Sequence, residues 1–219
     1  MSQLSLVCAA ALVVLRLPLT AAPNAADVAS QFPKHQVQQC KQPSGSSIRV
    51  SRDSIGYLGT GLALDSLLTL CSEALATFVL SPDSHPSPAL EFRFDGLTAW
   101  AVQYRTWAAQ FEKKLQPALP ADYWILSGRS GELPNGVKLS STWRELQTQY
   151  GEAYNTDDVM VIVSFCRMPW LEVILDTDPN LRLSYGMDFD VAAIPPDTPI
   201  FSVIVRRFPT SRIGDNCGQ

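Results

Sequence analysis

The sequence predicts an α+β fold: an antiparallel sheet from two tandem helix-hairpin units, with short helices packed on one face. Two observations predict it. Residues 64–71 and 143–150 each place apolar side chains at i, i+3 and i+7, the spacing of a short amphipathic helix. Each segment is followed by paired runs of strand character. Aligning Leu67 with Leu146 sets Leu64 against Trp143 and Cys71 against Tyr150, so the chain reads as one pattern stated twice.

The elements follow in order. Residues 1–22 read as a signal peptide: an apolar run over 4–15, then Arg16, then small residues around Ala21, Ala22, Ala25 and Ala26 where cleavage is expected. The run is too short to span a bilayer, so no stable membrane span is expected once the leader is removed. Residues 23–53 form a polar N-terminal arm. The first unit, 54–135, opens on the helix near Leu64. It passes through a Pro-rich loop at 81–88, then strands at 90–94 and 97–104 joined by the hairpin signal Asp95-Gly96. Leu90, Phe92 and Phe94 alternate inward, while Trp100, Val102 and Tyr104 share a face. An inserted helix is expected where Tyr104, Trp107, Ala108, Phe111 and Leu115 recur until Pro117, followed by a short strand at 123–127.

The second unit, 136–219, has the better helix start. Thr142 with Glu145 three residues later reads as a capping box, and Gly151 supplies the stop. The run 159–166 is apolar on both faces, as a covered central strand should be. Leu171, Val173 and Leu175 line the next strand, and Phe201, Val203 and Val205 line the last.

The helix ending Leu146…Tyr150-Gly151, followed by a hairpin and duplicated, resembles a broad group of exported bacterial proteins. That group includes the beta-lactamase-inhibitory protein and the small outer-membrane-assembly lipoproteins. The chain also resembles uncharacterised exported proteins in which Gly-x-Gly-x-x-x-x-Gly precedes such a helix. Here Gly56 and Gly61 match, with Ser54 in the first glycine's place. The resemblance spans about 54–206 and implies helices packed on an antiparallel sheet. It carries no binding residue over, position by position.

Composition narrows the function classes. Hydrophobic residues at 46% against charged residues at 17% describe a chain able to bury a core. The formal charge of −4 becomes −5 when Arg16 leaves with the leader, which is not the footprint of a nucleic-acid binder. Cys40, Cys71, Cys166 and Cys217 follow the leader, an even set fitting disulfides in an oxidising compartment. The placement favours Cys40–Cys217, tying the termini, and Cys71–Cys166, meeting in the core. With no C-x-x-C and no histidine near the cysteines, zinc is not expected.

The residues also offer little catalytic chemistry. Residues 176–180 carry oxygen ligands at alternate positions, but Leu181 and Met187 stand where a calcium loop needs glycine and glutamate, so a turn is expected. His35 and His85 fall in the arm and the Pro-rich loop. The stretch 127–131 is glycine-rich without a nucleophile elbow or a P-loop lysine. Glu152, Asp157 and Asp158 could serve a hydrolase, but nothing fixes their separation. The aromatics are richer: Trp100, Tyr104, Trp107, Tyr123 and Trp124 either form an anchor surface or fill the core beside the insert. The expectation is an exported, non-enzymatic protein without cofactor or metal that binds a protein or glycan partner. The alternatives are a carboxylate-based hydrolase and a structural domain with a small-molecule pocket.

Overall fold

A computed structural model of the chain describes residues 39–41, 47–80, 85–155, 161–177, 191–208 and 217. These fall in one unit, Val37–Gln219. The expected signal peptide, His35, Asp157, Asp158 and residues 178–190 of the calcium-like stretch lie outside the described residues.

The first elements among the described residues are three two-residue strands, β1 (Ile48–Arg49), β2 (Ser54–Ile55) and β3 (Leu58–Gly59). Helix α1 (Leu64–Leu70) leads into β4 (Leu75–Leu80), β5 (Pro86–Phe94) and β6 (Leu97–Val102). A five-residue π-helical turn, Ala108–Glu112, precedes β7 (Tyr123–Gly128) and the short β8 (Gly131–Glu132). Helix α2 (Trp143–Tyr150) then leads into β9 (Ala153–Asn155), β10 (Ile162–Phe165), β11 (Met168–Leu175) and β12 (Ile200–Arg206).

Eight of these strands form one sheet in the order β4-β5-β6-β7-β12-β11-β10-β9, antiparallel at every step. Two four-stranded meanders meet where β7 pairs with β12. This corrects the predicted fold class. The fold is mostly β, with α-helices of only 7 and 8 residues among the described residues, and it is not an α+β arrangement of helix-hairpin units.

Three misread segments account for the difference. Leu75–Leu80 is apolar at both parities and gave no alternation to read, yet it forms β4. Pro86 and Pro88 read as loop but begin β5; Pro88 turns its backbone toward the β6 side, where Gln103 N donates to its carbonyl at 3.1 Å just past the end of β6. The sheet has little ladder left there to lose, so proline is tolerated. Finally, Tyr123–Gly128 is not part of a peripheral insert but a central strand, paired on both edges.

Both helices cover one face of the sheet. Leu64 and Leu67 of α1 and Trp143, Leu146 and Tyr150 of α2 pack on an inward row that includes Phe92, Ala101, Trp124, Val205, Leu171 and Phe165. Trp143 and Tyr150 both rest on Phe165, at ring distances of 6.1 and 5.1 Å, and the Tyr150 hydroxyl donates to the Pro134 carbonyl at 2.8 Å. Burial raises that phenol's pKa. The capping box holds through its return half: Thr142 N–H donates to Glu145 Oε2 at 2.8 Å, and Gly151 ends the helix at φ +78°. Asp95-Gly96 makes the expected turn, with Gly96 at φ +70° and its carbonyl accepting from Arg129 N and Ser130 N.

Three further expectations change. The inserted helix over 104–115 shrinks to the single π-helical turn, which buries only Ala109. Phe201 does not face inward: the register steps from Ile174↔Ser202 to Leu175↔Ile200, so Phe201 is the extra residue of a bulge and is 60% exposed. The favoured disulfide pairing is also wrong. The bonds are Cys40–Cys71, with Cα atoms 5.4 Å apart, and Cys166–Cys217, at 5.5 Å. Cys40 is drawn to the start of the first meander because its N–H donates to the Arg93 carbonyl at 2.7 Å, which brings it to Cys71 at the end of α1.

Candidate functional site

Residues 103–122 link β6 to β7 and are held by two side-chain anchors, the buried Gln103 and the half-buried Asp122. Gln103 is wholly buried. Its side-chain amide donates to the carbonyls of Gln116 and Leu119 at 3.1 Å and of Pro120 at 3.2 Å, and its Oε1 accepts from Gln116 N at 2.8 Å. Asp122 closes the other end: its Oδ2 accepts from Tyr104 N at 2.8 Å and Arg105 N at 3.0 Å, while its own N–H donates to the Val102 carbonyl at 2.8 Å. One glutamine and one aspartate therefore satisfy a set of backbone groups that has no ladder of its own.

Between these anchors the loop lifts two aromatic rings into solvent. Trp107 is 67% and Phe111 63% exposed, and their rings stack with centroids 4.0 Å apart. Thr106 Oγ1 accepts from Ala109 N at 3.1 Å at the start of the turn, and Lys113 closes it in the left-handed conformation at φ 55°. The spacing of Trp107 and Phe111 reads as a buried helical face in the sequence. Here it places both rings on the outer side of a turn whose inner side is filled by Ala109.

The five aromatics singled out from the sequence do not form one surface. Trp124 is buried beneath the helices, its ring 5.4 Å from Phe92. Tyr123 is buried on the opposite face, its ring 5.5 Å from Tyr104. Trp100 is half-buried on that same opposite face and donates from Nε1 to Glu91 Oε2 at 3.1 Å. Tyr104 is half-buried like Trp100, and of the five only Trp107 is mostly exposed. Its partner Phe111 was not among the residues expected to form a surface, and its i+4 spacing on a loop ending in Pro117 is the signal that would have added it.

The opposite face also holds a buried ion pair. Arg206 Nε donates to Glu172 Oε1 at 2.7 Å, and the glutamate side chain is 1% exposed. Burial alone would lower the guanidinium pKa, but the hydrogen bond and charge of Glu172 outweigh it and hold it raised. Across the neighbouring strands the register runs from Glu172 to Ser164 to Tyr154. Glu172 Oε2 is buried without a hydrogen-bond partner among the described residues, and the Ser164 and Tyr154 hydroxyls are buried along the same register. Burial, with the charge of Glu172, raises the Tyr154 pKa.

Of the other predicted chemistry, Glu152 is exposed at the start of β9. The glycine-rich 127–131 stretch is the turn from β7 to β8, where a side chain at Gly128 would come within 2.3 Å of the Gly96 carbonyl. Among the described residues no group of three or more His, Cys, Asp or Glu side chains is placed to hold a metal ion. Nor is any described helix long and apolar enough to cross a membrane.

No family model matches this chain, and no curated protein matches it. Among solved structures, that of the uncharacterized protein yfeY from Escherichia coli is similar at 10% identity and a TM-score of 0.43, covering 74% of this chain and 100% of that one. A likeness at that score carries no weight for function. It leaves the resemblance to exported bacterial inhibitors and lipoproteins where the sequence put it.

Proposed function

We propose that this protein is exported and acts by binding, presenting the Trp107–Phe111 pair to an apolar groove on a protein partner. The observation that carries this reading is a stacked aromatic pair, mostly exposed, on a loop fixed at both ends by side-chain hydrogen bonds to its backbone. Aromatic side chains bury about 150–250 Å² each, so covering two rings that are 67% and 63% exposed would remove roughly 100–170 Å² apiece from water. At about 25 cal/mol per Å² that is roughly 2.5–4 kcal/mol per ring, the scale of an interface hot spot. The pinned loop keeps the ordering cost of binding low.

Two further observations support the reading. The turn lies against β5, whose other neighbour, the edge strand β4, carries the exposed apolar residues Phe78 and Leu80. The two disulfides suit the oxidising compartment expected of an exported protein.

The test is site-specific photo-crosslinking in cells producing the full chain, with the probe at Phe111 or, as a control, at Arg144 on α2. A single protein adduct from position 111, absent from position 144 and lost in Trp107→Ala, is the expected result. Equal labelling from both positions, or none from 111, would overturn the proposal.

A further inference from the structure

Consecutive residues at the end of β12 meet opposite fates. Arg206 is held in the buried pair with Glu172, while Arg207 turns to the other side and lines an open cleft. That cleft, about 390 Å³, is bounded by Arg52, Asp53, Gly59–Leu62, Arg207 and Phe208. The β2–β3 hairpin builds its floor. Ile55 and Leu58 are fully buried, and Thr60 ties the following turn back by donating from N to the Asp53 carbonyl at 2.9 Å and from Oγ1 to the Arg52 carbonyl at 2.6 Å. Gly61 leaves the rim open: a methyl group there would meet nothing within 4 Å.

The charges in this cleft are unbalanced. Among the described residues the Arg52 side chain donates only to the Arg207 carbonyl, at 3.5 Å, and the Arg207 guanidinium lies 5.2 Å from the Phe208 ring centre. Neither guanidinium takes part in an ion pair among the described residues, and Asp53 offsets only one of the two positive charges. Two planar forks with unused N–H donors match the geometry of an oxyanion. Beside them Leu62 and Phe208 are 38% and 50% exposed, an apolar wall next to a cationic one.

From this arrangement we propose that the cleft binds an amphiphilic anion. A phosphate or carboxylate head would lie between Arg52 and Arg207, and its aliphatic portion against Leu62 and Phe208. The same chemistry is offered by a free alkyl phosphate and by a lipid headgroup in a bilayer.

The test uses the full chain in three titrations: hexyl phosphate by calorimetry, inorganic phosphate as the head alone, and phosphatidylglycerol against phosphatidylcholine vesicles by flotation. Saturable hexyl phosphate binding, at least tenfold tighter than inorganic phosphate, supports the site with a free ligand. Flotation with phosphatidylglycerol alone supports it with a lipid source. In either case Arg52→Ala and Arg207→Ala must each weaken binding about tenfold, Arg52→Lys must recover part of it, and all must melt near the parent temperature. Binding unchanged by both alanine variants, or no saturable binding in any arm, would overturn the proposal.

Discussion

Replacing Arg206 with methionine leaves a carboxylate stranded inside the protein. Glu172 is 1% exposed, its Oε2 already lacks a partner, and Arg206 supplies the hydrogen bond to Oε1 at 2.7 Å. Removing one member of a buried pair costs about 3–5 kcal/mol, because the remaining charge keeps its desolvation penalty without its compensation. For a domain of this size each kcal/mol moves the melting temperature by roughly 2–4 °C, so Arg206→Met is expected to melt about 6–20 °C lower. The double variant Glu172→Met with Arg206→Met removes both charges and is expected to recover most of that loss. Both variants lose the stacking of Arg206 over Tyr123, 5.5 Å from the ring centre, so that contribution cancels between them. Urea unfolding followed by tryptophan fluorescence, with disulfides intact, measures the difference. A cost below about 1 kcal/mol for the single variant, or a double variant less stable than the single, would refute the claim that stranded charge dominates.

Three other outcomes are expected. Gly96→Ala should destabilise by about 2 kcal/mol or more, since φ is +70° and the new methyl would sit 2.0 Å from Ser130 Oγ; pairing it with Ser130→Gly should return only the steric part, measured by the shift in urea midpoint. Opening the Cys166–Cys217 bond as a double alanine variant should cost about 4 kcal/mol by chain entropy for its separation of 51 residues, and opening Cys40–Cys71, at 31, slightly less; equal stability of oxidised and variant proteins would remove the bond from the account. The Thr142 N–H holds the Glu145 carboxyl below its ordinary pKa, so its stabilisation is full above the unfolded value and is lost as pH falls through the folded one. Glu145→Gln should therefore melt below the parent at neutral pH and converge with it in acid, and parallel melting curves at every pH would contradict this.

Much of the sheet was legible where a strand had two different faces. Leu90, Phe92 and Phe94 alternate cleanly with polar neighbours, and they, like Leu171, Val173 and Leu175, are buried as read. The capping box of α2 announced itself because capping is a local matter between Thr142 and Glu145. What the sequence hid was set by distant contacts. Strand β4 has no period to find, and β7 reads as a fragment until β12 arrives from about eighty residues away to pair with it. The exposed ring pair was hidden for the same reason. Spacing alone cannot say which side of a turn faces the core, and Gln103, the residue that decides it, is an unremarkable glutamine in sequence.

The pairing of β7 with β12 also orders events in time. The seam through the middle of the sheet joins the first meander to β12, the latest in sequence of its eight strands, so the sheet cannot close until β12 has been made. Until then β7 carries an open edge, the kind of surface that recruits a stray strand from another chain. Each disulfide, by contrast, stays within its own half of the sheet, Cys40–Cys71 beside the first meander and Cys166–Cys217 beside the second. Either half can therefore be oxidised correctly while the seam is still open, and no cross-link between the halves stands in the way of their late meeting.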